Sequence, residues 1–294
     1  MVLYIIRHAD PDYEKGTITP KGHKEAQALA GIMDRLQPTH LYSSPLGRAR
    51  DTASYTVKAT SLPLGIEDWT REIEGYTVAQ EEPYGLHMVW DYHPQHIKAL
   101  QQDKAADGQG LTQEDWLTTY PYQPIGYDQV INAVAENSDK FLARHGMVRE
   151  GHVYRIEESG FGGLGIGESG TDRSAGASLK ARTRASGQKN QQPTSHASFN
   201  PNVTAPGTLR VRSQKIAVFC HGGFGLTWLA HLLQIPFPLV YSNFYLWPSS
   251  VTTILFDERV PGTATPRCIG LGDISHLAVA GLPPQPRGLV ANSE

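Results

Sequence analysis

Two stretches more than two hundred residues apart in the chain end the same way. Val2-Leu3-Tyr4-Ile5-Ile6-Arg7-His8 and Lys215-Ile216-Ala217-Val218-Phe219-Cys220-His221 are apolar runs of strand-forming residues that each close on a histidine. Runs of this kind suit strands buried on both faces, in a sheet covered by helices. Such sheets hold ligands just beyond the carboxyl ends of their strands. If the two strands are neighbours, His8 and His221 face each other over one pocket. Arg7 beside them argues that the pocket takes an anion.

Between these stretches the pattern alternates. Thr19-Pro20 reads as an N-cap and first helical residue, with Ala26, Leu29, Ala30, Met33 and Leu36 at helical spacing, so a helix is expected over 21–36. Thr39 to Ser43 is a short strand. Ser44-Pro45 opens a helix through about Thr60 with Arg48 in its first turn, where free N–H groups and the helix dipole favour a phosphate. Leu62 to Ile66 is a further strand. Residues 76–127 carry many aromatic residues and read as a helical insertion after it. They either cap the pocket or form an aromatic satellite core. Gly126 to Arg144 is a helix, and Gly151 to Ile156 begins a strand. Beyond His221, a helix over 222–233 and strands over 251–256 and 267–271 follow. The order of elements predicts an α/β fold, a three-layer α/β/α sandwich with a largely parallel central sheet.

The segment 159–213 breaks the pattern. It has almost no aliphatic periodicity and holds seven Lys/Arg against two acids. Such a composition buries too little apolar surface to offset the entropy of ordering, so a disordered insertion between two adjacent strands is expected. The tail 283–294 is Pro-rich and reads as loose. One domain over 1–282 is expected to contain both insertions.

The whole chain excludes several classes. Its 294 residues carry 26 Lys/Arg against 29 Asp/Glu, a formal charge of −3, which argues against nucleic acid or anionic membrane as the main partner. Two cysteines, Cys220 and Cys268, make no disulfide framework and no CxxC pair. The short N-terminal apolar run is not a signal peptide, and no run is long enough to span a membrane. A soluble, cytoplasmic protein is expected; oligomeric state is not legible.

Arg7, His8, Arg48, Glu72 and His221 suggest one chemistry. A neutral imidazole attacks phosphorus to form a phosphohistidine. Two guanidiniums neutralise the phosphoryl oxygens in a fork geometry and keep a nearby histidine neutral. A second histidine donates to a non-bridging oxygen. A carboxyl group protonates the leaving alcohol and then deprotonates water. No metal or other cofactor is required. A single histidine at a strand end is usually structural; two, with Arg7 and a helix-start Arg48, argue for a site.

These residues resemble the histidine phosphatase superfamily, the phosphoglycerate mutase-like proteins. Arg7-His8-Ala9 is similar to its Arg-His-Gly signature, with alanine for glycine. Ser44 to Ala53 resembles Ser-x-Leu-x-Arg-Ala-x-x-Thr-Ala, which makes Arg48, not Arg50, the second phosphate arginine. Ile18-Thr19-Pro20-Lys21-Gly22 with Ala26 resembles the family's first helix start. Arg71-Glu72-Ile73 resembles the segment with the acid/base glutamate. His221-Gly222 resembles the second histidine block, with Gly222 at the phosphate. Gly272 to Leu277 resembles a C-terminal pocket segment holding Asp273 and His276. The matches span roughly 1–75 and 215–278.

The resemblance implies a phosphoglycerate mutase-like fold and a metal-independent phosphoric monoester hydrolase of the histidine acid or neutral phosphatase type. Its partner would be a small phosphorylated metabolite. Two departures keep alternatives open. The loop Ala9 to Ile18 is short and lacks the asparagine of the mutases, which argues against a phosphomutase. The Gly-x-Trp-x-Gly run after the glutamate is absent, so Glu74, Glu81 and Glu82 stand beside Glu72. A non-catalytic phospholigand-binding module is a further alternative. A metal-dependent hydrolase built on His8, Asp10, Asp12 and His221 would press Arg7 and Arg48 against a cation, which is electrostatically poor.

Overall fold

A computed structural model of the chain describes residues 1–79, 86–89, 112–118, 122–157 and 214–287. All of them belong to one compact unit, 1–159 with 212–294, and a second unit, 160–211, lies outside the described residues. The expected disordered insertion therefore falls outside what is described.

The centre is a strand that feeds two cores. In β1 (Val2–Arg7) the side chains alternate, because successive residues of a strand point to opposite faces. Leu3 and Ile5 join one apolar cluster, and Tyr4 and Ile6 join another. β10 (Lys215–Cys220) does the same. Ile216, Val218 and Cys220 go to the first cluster, and Ala217 and Phe219 to the second. A sheet apolar on both faces needs helices on both, which is the three-layer arrangement. One layer contains α1 (Pro20–Ala30), α2 (Met33–Leu36) and α3 (Gly47–Thr60). The other contains α4 (Gln113–Leu117), α5 (Tyr127–Arg144), α6 (Gly222–Leu233) and α7 (Phe237–Asn243).

Among the described residues the main sheet has eight strands. Its parallel part is β5 (Leu64–Ile66), β4 (His40–Ser43), β10 and β1, in that spatial order. β11 (Val251–Val260), β12 (Thr263–Asp273), β9 (Val153–Ile156) and β8 (Met147–Glu150) extend it antiparallel from β1. The segment 157–214 thus joins β9 to β10, which are not adjacent: β1, β11 and β12 lie between them. The expectation of adjacent strands fails here because hairpin-connected β11 and β12 insert between them in space. α8 (Ser275–Val279) follows β12. Short pairs β2 (Pro11–Asp12) with β3 (Thr17–Ile18) and β6 (Thr77–Ala79) with β7 (Leu86–Met88) stand apart. No described helix is long and apolar enough to cross a membrane.

Two helix boundaries move from their expected places. The helix expected over 21–36 breaks at Gly31, and Gln37 ends the second piece in a left-handed conformation at φ 51°. α3 starts at Gly47 rather than after Ser44; the Ser44 hydroxyl accepts from Leu46 N–H at 3.3 Å and also meets His221 Nε2. The described part of the aromatic insertion begins as the β6–β7 hairpin. Trp116, Tyr122 and Tyr127 are buried in the core with Phe237, whereas most of the insertion expected as a cap lies outside the described residues.

Candidate active site

Register brings the two histidines together. β1 and β10 run parallel with Arg7 opposite Cys220, so His8 and His221 leave the sheet side by side. Their ring centroids are 5.1 Å apart, and both are buried. Around His8 the backbone is held from several directions. His8 N–H donates to the Cys220 carbonyl at 2.9 Å, and Ser249 N–H donates to the His8 carbonyl at 3.0 Å. Ala9 N–H donates to the Thr52 hydroxyl of α3 at 3.0 Å, and Asp10 N–H to the buried Glu25 carboxylate of α1 at 2.8 Å.

The tautomer of His8 follows from one contact. Its Nδ1 is 2.7 Å from the Ala9 carbonyl oxygen, which only accepts. Nδ1 therefore carries the proton and Nε2 keeps its lone pair. Burial, then Arg7, lowers the His8 pKa well below the usual histidine value, with Arg48 acting the same way. The His221 pKa is lowered likewise by burial, then by His8, Arg48 and Arg7. Both rings are neutral at neutral pH.

The arginines are buried cations. Arg7 donates from Nη1 to the Leu246 carbonyl and stacks on the Tyr245 ring at 5.7 Å. Arg48 stacks on the Tyr13 ring at 5.5 Å and lies 3.7 Å from Glu74. Its neighbour Arg50 is exposed, because the buried stripe of α3 is Arg48, Ala49, Thr52, Ala53 and Thr56. Arg7 Nε, Arg48 Nε and His221 Nδ1 are buried and have no hydrogen-bond partner among the described residues. Buried donors are normally satisfied, and a tetrahedral anion with four oxygens fits this set. A Cβ at Gly222 would come within 3.3 Å of the Arg7 guanidinium, so a residue without a side chain keeps Arg7 in place.

Glu72 sits at the start of α6. Its Oε1 accepts from Phe224 N–H at 2.8 Å and Ile73 N–H at 3.1 Å, and Oε2 from Gly223 N–H at 3.3 Å. Burial raises its pKa above the usual carboxylate value, and those N–H groups and Arg7 only partly offset that. Of the other candidates, Glu74 is 69 % exposed and faces Arg48. Glu81 and Glu82 lie outside the described residues. A cavity of about 510 Å³ opens against Arg7, Glu72, Gly222 and Gly223.

Asp273 and His276 are not among the residues lining that cavity, and neither are His8, Arg48 and His221. Asp273 folds back to accept from Ser275 N–H at 2.7 Å. His276 is buried behind the His8 backbone, 3.1 Å from the Ser249 hydroxyl, with its pKa pushed down to about 4 by burial. Among the described residues, no group of three His, Cys, Asp or Glu side chains is placed to hold a metal ion.

Three participants escaped sequence reasoning. Ser44 Oγ lies 2.7 Å from His221 Nε2, although its sequence context suggested only a helix cap. Tyr13 and Arg287 had no local signal at all. Arg287 binds Asp10 through two contacts of 2.7 and 3.1 Å, and its backbone is tied to the Tyr245 hydroxyl. The tail is therefore not loose up to this point, because a carboxylate only 2 % exposed needs a counter-charge. Burial would raise the Asp10 pKa, but the Arg287 and Thr19 hydrogen bonds outweigh it and lower it. Arg287→Ala is expected to cost about 1–3 kcal/mol at pH 7. A depressed carboxylate pKa contributes stability above its unfolded value and loses it as pH falls through the folded value. Unfolding curves of wild type and variant should thus converge below about pH 4.

Residues 3–116 match the model of the histidine phosphatase superfamily (branch 1), a stretch that contains Arg7, His8, Arg48 and Glu72. That stretch is similar to the histidine phosphatase superfamily, and the fold around it is α/β. Solved structures similar to the chain include a phosphoserine phosphatase from Entamoeba histolytica in complex with 3-phosphoglyceric acid. It has 15 % identity and TM-score 0.49, covering 94 % of this chain and 98 % of that one. A mycobacterial glucosyl-3-phosphoglycerate phosphatase with inorganic phosphate has 16 % identity and TM-score 0.49, with the same coverage of 94 % and 98 %. No curated protein matches the sequence.

Proposed function

We propose that this chain is a phosphomonoester hydrolase that works through a phosphohistidine on His8 and needs no metal ion. The observation that carries the reading is the packing of two neutral histidines, 5.1 Å apart, beside two buried guanidiniums. That arrangement suits a phosphoryl dianion and repels a cation.

In this reading Arg7, Arg48, His221 and the start of α6 at Gly222 hold the phosphoryl oxygens. His8 Nε2 attacks phosphorus in line with the ester oxygen, and the P–O bond to the alcohol breaks. Glu72 in its acid form gives the proton to the departing oxygen. Oε2 is the atom suited to carry that proton, since Oε1 already accepts two N–H bonds. Glu72, now a carboxylate, takes a proton from water, whose oxygen attacks the phosphohistidine. Inorganic phosphate leaves, and His8 and the protonated Glu72 are restored.

The test is phosphate release from p-nitrophenyl phosphate and a panel of phosphorylated metabolites, before and after exhaustive chelation. Turnover unaffected by chelation is the expected result. Absence of any turnover sinks the reading, and loss on chelation sinks its metal-free form.

Glu72→Gln gives a sharper check, because an amide donates no proton to a leaving group. Esters of ordinary alcohols are expected to lose about 10²–10⁴ in kcat/KM, whereas p-nitrophenyl phosphate, with its good leaving group, loses far less. In wild type, kcat/KM for alcohol esters should fall on the alkaline side as Glu72 ionises, at a pKa raised above 4.5. It should fall on the acid side as His8 protonates, well below 6.5. Glu72→Gln should remove the alkaline limb.

A further inference from the structure

Of the groups in the chemistry proposed above, Arg7, Glu72 and Gly222 line the 510 Å³ cavity, and the rest of its wall has a consistent character. Glu72 borders it, and the group that protonates a leaving alcohol must face that alcohol. A second cavity also touches Glu72, but it does not reach Arg7 or Gly222. The larger cavity is therefore the one that receives the leaving group.

Its wall is apolar and aromatic. Met88, Leu226, Phe244 and Leu246 contribute aliphatic and aromatic surface. Tyr241 and Tyr245 present rings rather than hydroxyls. The Tyr241 hydroxyl is engaged with the hydroxyls of Tyr127 and Thr227. The Tyr245 hydroxyl donates to the Arg287 carbonyl at 2.8 Å and accepts from Arg287 N–H at 2.7 Å. The Asn243 amide nitrogen donates to the Leu239 carbonyl and to the Ser242 hydroxyl.

Charge points the same way. Among the described residues on this wall the cations are Arg7 and Arg287. Arg7 belongs to the phosphoryl site. Arg287 is neutralised by its two contacts with Asp10. A carboxylate on the leaving group would meet no uncommitted described cation. Burying a charge without a partner is costly, whereas burying a flat apolar group against rings is favourable.

Resting on the hydrolase reading, we propose that the leaving group is apolar and uncharged, with an aromatic or similarly bulky body. The substrates are phosphomonoesters of arylalkyl or other apolar alcohols rather than of small hydroxy acids. The cavity lies within the range of small-molecule sites of about 300–1,000 Å³, and a one- or two-ring group fits it.

The experiment compares kcat/KM of the full chain for benzyl and naphthylmethyl phosphate with that for phosphoserine and 3-phosphoglycerate. All four are alkyl esters, so none has the leaving-group advantage of a phenol. The arylalkyl esters are expected to be better by on the order of 10- to 100-fold, the scale of burying an aromatic ring. Phe244→Lys, a change on the wall and outside the reacting groups, should narrow or invert that ratio while leaving p-nitrophenyl phosphate turnover measurable. If p-nitrophenyl phosphate is hydrolysed but the hydroxy-acid esters are used as well as the arylalkyl ones, this inference is overturned and the hydrolase reading survives. The inference is likewise overturned, with the hydrolase reading intact, if Phe244→Lys keeps the wild-type ratio. If no ester is hydrolysed, p-nitrophenyl phosphate included, the hydrolase reading falls and this inference falls with it.

Discussion

Removing the His8 imidazole should lower turnover by at least about 10⁴-fold, since the nucleophile has no substitute among its neighbours. His221 is neutral and close, but its Nε2 faces the Ser44 hydroxyl rather than carrying a lone pair fixed by a carbonyl contact. In wild type, mixing with a good substrate and quenching without acid should give a protein mass increased by one phosphoryl group. A neutral quench matters, because a phosphorus–nitrogen bond is labile in acid. His8→Ala should show no adduct and should fold normally, since its backbone bonds to Cys220 and Ser249 survive the change. An adduct in His8→Ala, or turnover in wild type without one, would remove His8 from the role of nucleophile.

The second large effect distinguishes two arginines on one helix. Arg48 and Arg50 are two positions apart, so they point about 200° from each other around the axis of α3. The structure buries Arg48 and exposes Arg50. Arg48→Ala is expected to lower kcat/KM by roughly 10²–10³, the cost of losing one preorganised contact to transition-state charge. It should also weaken competitive inhibition by phosphate and vanadate. Arg50→Ala should leave both near wild type. The opposite result would mean that the phosphoryl group does not lie on the Arg48 side of His8. Arg48→Lys is a useful companion, since a point charge keeps part of the attraction and loses the fork.

The sheet and the core of the site were legible in the chain because they depend on local pattern. Two apolar runs ending in histidine announce two buried strands, and the resemblance of Ser44 to Ala53 to a family block, with Arg48's place at the helix start, singles out Arg48 over Arg50. Strand period and helix period need no tertiary information. The pairing of β1 with β10 is only a hypothesis from the chain, and register makes it concrete.

Local pattern is silent where a side chain adds a distant partner to its near ones. Ser44 has the sequence context of a helix cap, yet its hydroxyl meets His221, 177 positions away. Asp273 and His276 lie in a segment that resembles a pocket wall; Asp273 accepts from Ser275 N–H, and His276 Nε2 meets the Ser249 hydroxyl. The proline-rich tail looked unattached because nothing in its own residues shows that Asp10 is buried and lacks another guanidinium.

By itself, then, the sequence determined the fold class, the strands that end the active edge, and four of the residues gathered there: Arg7, His8, Arg48 and His221. Periodicity and a short motif carry that information within a few residues. Only the tertiary structure decided which carboxyl group stands at the start of α6, how the tail closes on Asp10, and what lines the leaving-group cavity. Those features depend on burial, and burial is a property of residues brought together from distant parts of the chain. A carboxyl group acquires its raised pKa, and a tyrosine its role as an apolar wall, only after the surrounding elements have packed against it.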